Sequence, residues 1–246
     1  MKVLVIGESC NDVFHYGESI RLCPEAPVPV FKSIEVFENG GMAMNVAKNL
    51  NSMGVSTNII TNQNFHDIKK TRFVDFRTNH MFLRVDESDD SYGALDVKAI
   101  KEINFLDYDG VAVSDYDKGF LTEEVLREIS KSHPVTFLDT KKILGEWCKE
   151  YRFIKINSRE HEITKSTLTE GIMEKLIVTR GPYGCVHKNN NYPVPSVEVK
   201  DTSGAGDTFL AGLTKKYIET KNVESSIEFA NSCSTKVVQK RGVSCV

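Results

Sequence analysis

The stretch KDTSGAGDTFLAGL, residues 200–213, sets Gly204, Ala205 and Gly206 between two carboxylates, Asp201 and Asp207. Phe209, Leu210, Leu213, Tyr217 and Ile218 follow at helical spacing, which predicts a helix beginning close to residues 204–207. Glycines in such a turn let first-turn N–H groups face outward with no Cβ in the way. Those amides and the helix dipole together make an anion site, suited to an oxyanion or a phosphoryl group in transfer. Asp207 stands one residue past the turn, where a general base would take the proton of an attacking hydroxyl. A purely structural strand-to-helix turn is the competing reading. The dinucleotide fingerprint G-x-G-x-x-G fails, because its third glycine would fall on Phe209 and the stretch lies late in the chain rather than after the first strand. No glycine-rich run ends in Gly-Lys-Ser/Thr, so a Walker loop is absent as well.

Chemistry of this kind needs elements that hold it in place. Short apolar runs recur and close on polar residues: KVLVIGE at Gly7-Glu8, GVAVSDY at Ser114-Asp115, VTFLDT at Asp139, FIKIN at Asn157 and KLIVTRG at Thr179-Arg180. Runs of this length, rich in Val, Ile and Leu, suit strands buried on both faces. Between them MAMNVAKNLNSMG, TEEVLREISK and SSIEFANSCSTKVVQK carry helical periodicity. The alternation predicts an α/β fold, a mostly parallel sheet flanked by helices, over one domain spanning residues 1–246. In such sheets ligands bind off the carboxyl ends of the strands, where the closing polar residues lie. Two extended stretches break the scheme. CPEAPVPVFKSIEVFENGG, with three prolines, and TRFVDFRTNHMFLRVDE are expected to form a small antiparallel β lid over about 13–38 and 71–87, with edge hairpins of the main sheet as the alternative.

The formal charge of −3 gives no reason to expect nucleic acid as partner. The Lys69-Lys70 pair with Arg72, and Lys215-Lys216, read as solvated faces. No apolar run reaches membrane-spanning length, so no membrane partner is expected. The apolar run at the start is too short for a signal peptide and reads as a first strand. Six scattered cysteines without a C-x-x-C pair predict reduced thiols in a cytoplasmic protein.

DTSGAGDTF resembles the signature of the ribokinase-like (PfkB) carbohydrate kinases, and other motifs follow in that family's order: Asp12 in GESCND, Gly40, Gly41 and Asn45 in GGMAMN, Asn157 to Glu160 in NSRE, VTRG, and the helix ANSCSTKVVQKRGVS. PEAPVPV, SDYDKG and LRVDE resemble the heptose-7-phosphate kinases within it. The resemblance implies a three-layer sandwich and ATP-dependent transfer to a sugar hydroxyl, the anomeric hydroxyl of a heptose 7-phosphate in that subgroup. It further implies that Asp12, Gly40, Gly41 and Asn45 bind the sugar, with Lys118 and Lys141 as candidates for a phosphate already on it. Asn157, Thr179, Gly181 and Asn231 would line the nucleotide pocket, and Glu160 would organise Mg2+ through water. Asp207 would be the base, with the 204–206 amides around the phosphoryl group. Asp201 and Thr202 would take a monovalent cation such as K+, and the lid would close over the acceptor and make a homodimer. Bland counterparts exist: Asp12 and Asn157 as turn formers or caps, Glu160 as a first-turn acid, and both lysines as solvated surface residues.

The chain also departs from that pattern. Only NQNFHDIKK follows GVSTNIIT, where the family has a further helix-strand unit. Met42 and Met44 stand where the subgroup is smaller, and DTKK replaces Asp-Pro-Lys, both placed to retune the sugar pocket. The nucleotidyltransferase half of the bifunctional enzyme is not in this sequence, so the chain is not expected to make the activated sugar alone. A kinase of another sugar, fructose- or ribose-type, and a non-catalytic sugar- or nucleotide-binding regulator are the alternatives. A nicotinamide-dependent oxidoreductase is disfavoured by the missing glycine.

Overall fold

The computed structural model describes all residues from Met1 to Val246. The chain opens with β1 (Lys2–Gly7), β2 (Asn11–Glu18), β3 (Lys32–Asn39), α1 (Gly41–Ser52) and β4 (Ser56–Ile60). It continues through β5 (Lys69–Asp75), β6 (Met81–Glu87), α2 (Val97–Lys101), β7 (Gly110–Asp115), α3 (Glu123–Ser132) and β8 (Thr136–Thr140). Then come β9 (Phe153–Asn157), α4 (Ser158–Thr164), α5 (Glu170–Met173) and β10 (Leu176–Thr179). The hairpin strands β11 (Cys185–His187) and β12 (Asn190–Tyr192) precede the long helices α6 (Ala205–Thr220) and α7 (Val223–Val237).

The main sheet runs β12-β11-β10-β9-β8-β7-β1-β4. Neighbours from β10 to β4 pair in parallel, and only β11 and β12 run antiparallel at the edge. Successive side chains of a strand point to opposite faces, so each central strand feeds two cores. Leu4, Ile6, Val111, Val113, Ile154 and Ile156 join α2 and α3 residues such as Ile100, Leu126 and Ile129 on one side. Val3, Val5, Ala112, Phe137 and Phe153 meet Val46, Leu50, Phe209, Leu213 and Ile227 of α1, α6 and α7 on the other. Burying each such branched side chain contributes about 1.5–3 kcal/mol, so the β/α scaffold is rigid where the strand ends carry polar groups. The parallel sheet between two helical layers is the architecture the alternating pattern predicts.

The second sheet has the order β3-β2-β5-β6 and forms the lid. The pairs β2–β3 and β5–β6 are antiparallel, but the central pair β2–β5 is parallel, a difference from the purely antiparallel expectation. The reason is connectivity: each half of the lid leaves the core at the end of a parallel core strand, β1 or β4, so both enter in the same direction. The short turn over residues 61–68 carries the chain from β4 straight into β5, in agreement with the compressed NQNFHDIKK segment. Phe14, Tyr16 and Val74 form the lid's own small core, with Phe76 and Val243 against it. Arg241 stacks on Tyr16 and Phe76 at 5.1 and 4.7 Å and pins the chain's last segment to the lid. All six cysteines are free thiols.

Candidate active site

Helix α6 begins at Ala205, after Gly204 in the left-handed conformation at φ 76°. The first turn of a helix leaves its amides without intrahelical partners. Here Ala205 N–H donates to the Thr202 carbonyl at 3.2 Å, whereas the amides of Gly204, Gly206 and Asp207 meet no protein acceptor. A Cβ at Gly206 would lie 3.0 Å from Lys155 Nζ, so a side chain there would press on that ammonium. Lys155 is buried on β9 and donates to Asp139 at 2.8 Å. Burial works to strip its proton, but the Asp139 carboxylate, with Glu160 and Asp207 near it, raises its pKa overall. A fixed positive charge therefore sits under the turn.

Asp207 is buried at 3% exposure. Its two oxygens accept from different parts of the fold: Oδ2 from Asn45 Nδ2 at 2.9 Å and Oδ1 from Tyr116 Oη at 2.9 Å. Burial pushes the carboxyl up to about 6, against the pull of those two hydrogen bonds. A carboxylate poised there is ionised at neutral pH yet basic enough to accept a proton.

Two clefts meet at this carboxylate. The first lies under the lid and is lined by Asp12, Gly41, Met42, Asn45 and Lys118, with Lys70, Arg72, Arg84, Asp86 and Asp89. Strand register explains the lid's share. Asp12, Lys70 and Asp86 occupy one row of the sheet, and Arg72 and Arg84 face each other in the row two residues on, all on the same face. Arg72 is paired with Asp12, Lys70 and Lys118 with Asp89, and Arg84 with Asp86 through two bonds of 2.6 and 2.8 Å. The second cleft runs over the strand ends and is lined by Asp139, Lys155, Asn157, Glu160, Thr179 and Gly181. Tyr116, Lys141, Gly204 and Asp207 belong to both.

A family model described as pfkB family carbohydrate kinase matches residues 59–245. The chain belongs to that family. It is a pfkB-family member of ribokinase-like fold. The kinase is 29% identical over 300 residues to "Bifunctional protein HldE" of Helicobacter pylori (strain J99 / ATCC 700824), an alignment that covers 98% of this chain and 63% of that protein. It is 28% identical to the protein of the same name from Marinomonas sp. (strain MWYL1), covering 99% of this chain and 62% of that one. The kinase thus spans under two thirds of the length of these relatives. A Methanocaldococcus jannaschii nucleoside kinase shares its fold with a TM-score of 0.72 at 19% identity, covering 98% of this chain and 93% of the other.

Most residues singled out in the sequence converge on the two clefts of the kinase, but not all. Ala205, Gly40, Asp201 and Asn231 line neither. Gly40 is needed for packing, since a Cβ there would collide with the Met44 side chain, which likewise stays out of the cleft. Met42 does enter it, at a strained φ of 42°. Asp201 accepts from Ser203 N at 2.8 Å and from Gly242 N at 3.1 Å, and so ties the turn to the segment behind it. Asn231 donates to the Tyr192 carbonyl at 3.0 Å. Asn157 and Glu160 form a capping box on α4, with Glu160 Oε2 accepting Asn157 N at 2.7 Å, so the helix cap and the cleft wall are the same residues.

One reading needs correction. Lys70 and Arg72 are not a solvated face: Lys70 is 4% exposed and both line the first cleft. Their period-two spacing puts them on one face of β5, and that face is turned inward. Arg84-x-Asp86 in β6 carries the same spacing, and it was the available signal for this half of the site. Tyr116 and Lys155 were also missed, because neither lies in a spacing that sequence alone ties to Asp207.

Proposed function

We propose that the kinase transfers the terminal phosphoryl group of ATP to a hydroxyl of a sugar that already carries a phosphate, with heptose 7-phosphate as the first candidate. The observation that carries this is the meeting of two clefts at Asp207, one crowded with lid cations and the other running along the strand ends. The acceptor would occupy the first cleft, held by Asp12, Gly41 and Asn45, with its phosphate among Lys70, Arg72, Arg84 and Lys118. Arginine and lysine are the side chains suited to a phosphate dianion. The nucleotide would lie along Asn157, Thr179 and Gly181, with its terminal phosphate at the free amides of Gly204 and Gly206.

Asp207 takes the proton of the attacking hydroxyl, and the amides and Lys155 stabilise charge that builds on the phosphoryl oxygens. Lys141, on the boundary, reaches either phosphate. On the donor side Asp139 and Glu160 offer hard carboxylate oxygens, but both Glu160 oxygens already accept from Asn157 and Asp139 holds Lys155, so Mg2+ would meet them through its own waters beside the phosphates. When bound it would neutralise phosphate charge. A monovalent cation at Asp201 and Thr202 fits less well, since both Asp201 oxygens already accept backbone amides.

The outer face of the lid supports pairing with a second copy of the chain. Val36, Leu83 and Val85 are exposed there, on the face opposite the cleft cations. ATP turnover measured across free and phosphorylated sugars tests the substrate reading, with Asp207→Asn as the control. That variant is expected to lose about 10²–10⁴-fold in rate while still binding the sugar. A near-normal kcat in it refutes the base assignment.

A further inference from the structure

Tyr116 belongs to no motif that assigns it a role, yet its hydroxyl is one of only two side-chain donors on the Asp207 carboxylate. We propose that Tyr116 is a positioning residue for the base, its O–H holding one Asp207 oxygen at the boundary of the two clefts. This rests on the reading of Asp207 as general base.

The loop that carries the phenol is tied down by hydrogen bonds to two buried carboxylates. Tyr116 follows β7, and the loop that carries it is fixed from below. Glu8, fully buried after β1, accepts the Tyr116 amide at 2.9 Å and the Lys118 amide at 3.3 Å. Asp115 accepts the Asp117 amide at 3.1 Å. From the other side, Lys141 Nζ lies 4.4 Å from the centre of the Tyr116 ring, a cation–π contact. The phenol therefore has little freedom to turn away from Asp207.

The groups that face Asp207 come from four elements. Asn45 of α1 and Tyr116 donate to it, Lys155 of β9 supplies positive charge, and Asp139 of β8 supplies negative charge. Burial and Asp139 favour the protonated carboxyl, and the two hydrogen bonds and Lys155 favour the ionised one. Burial also pushes the Tyr116 phenol well above its ordinary range, with Asp207 adding to it, so it stays a donor at every pH the enzyme meets. A hydrogen bond to the charged form of an acid lowers its pKa. Loss of the phenol oxygen would therefore leave a weaker acid that is protonated, and useless as a base, over a wider pH range.

The test is Tyr116→Phe, which keeps the ring under Lys141. Protein labelled with 13C at aspartate carboxyls is titrated by NMR, and Asp207→Asn identifies the resonance that belongs to residue 207. In Tyr116→Phe that resonance is expected to titrate about one pH unit higher, a tenfold change in its proton affinity. The acid limb of kcat/KM, measured with ATP and heptose 7-phosphate, moves up with it. The double variant is no slower than Asp207→Asn alone, because the tyrosine acts through the carboxylate. An unmoved resonance in Tyr116→Phe, or a further loss in the double variant, overturns the role of Tyr116 and leaves the base assignment standing. Should Asp207→Asn itself turn over at the wild-type rate, the base assignment falls and the inference with it.

Discussion

Lys70→Met isolates the phosphate-recognition half of the proposal. Methionine keeps most of the unbranched stem and removes only the charge. The residue is 4% exposed, its ammonium bonded to Asp89 and 3.8 Å from Asp86. Neither acid is orphaned by the change, since Asp86 keeps Arg84 and Asp89 keeps Lys118, so the lid should still fold. The cleft holds five cationic side chains against four carboxylates, and the substitution brings it to balance. A hydrogen bond to a charged group contributes about 1.5–3 kcal/mol. At about 1.4 kcal/mol per tenfold, kcat/KM for a phosphorylated acceptor should fall by roughly 10- to 150-fold. The assay is ADP release with heptose 7-phosphate and, in parallel, with the same heptose lacking the phosphate. The unphosphorylated sugar should lose little. Equal losses on both acceptors, or none on the phosphorylated one, refute the assignment of this corner of the cleft to a phosphate.

Two further outcomes follow from the same structure. The Asp207 carboxyl titrates at about 6 when folded, against 3.8 ordinarily, so its contribution to stability is complete below about pH 4 and is lost as pH rises through 6. Above that the buried charge costs on the order of 3 kcal/mol. Asp207→Asn should thus melt above wild type at pH 8, with the gap narrowing toward pH 5, and thermal unfolding monitored by circular dichroism checks this; a gap independent of pH refutes it. Leu83→Lys, which places a charge on the exposed outer face of the lid, should halve the mass seen by analytical ultracentrifugation without changing the melting temperature; a wild-type chain already monomeric at the same concentration refutes lid pairing.

The turn at 204–207 and the polar residues that close each strand were legible because both are local. Glycine conformation, helical spacing and the length of apolar runs are written in adjacent residues. The two-part lid was legible for the same reason, through its prolines and period-two stretches. What escaped depends on partners far away in the chain. The spacing of Lys70 and Arg72 says that they share a face, but only the pairing of β5 with β2 and β6 says which way that face looks. The parallel sense of β2 and β5 is fixed by the direction in which β1 and β4 deliver the chain, and no local signal records it. Asn157 and Glu160 show that cap and site need not compete, since the hydrogen bonds that start α4 also fix the cleft wall.

The single residue Gly40 separates β3 of the lid from α1 of the core, and the second turn of α1 carries Asn45, which holds Asp207. The lid joins the core at three other places as well, after β1, after β4 and before α2. It therefore cannot swing on one loop like a flap; any displacement has to rock the sheet as a unit and pull on α1. The lid and the donor that holds the Asp207 carboxylate are thus parts of one covalent path, joined through a single glycine.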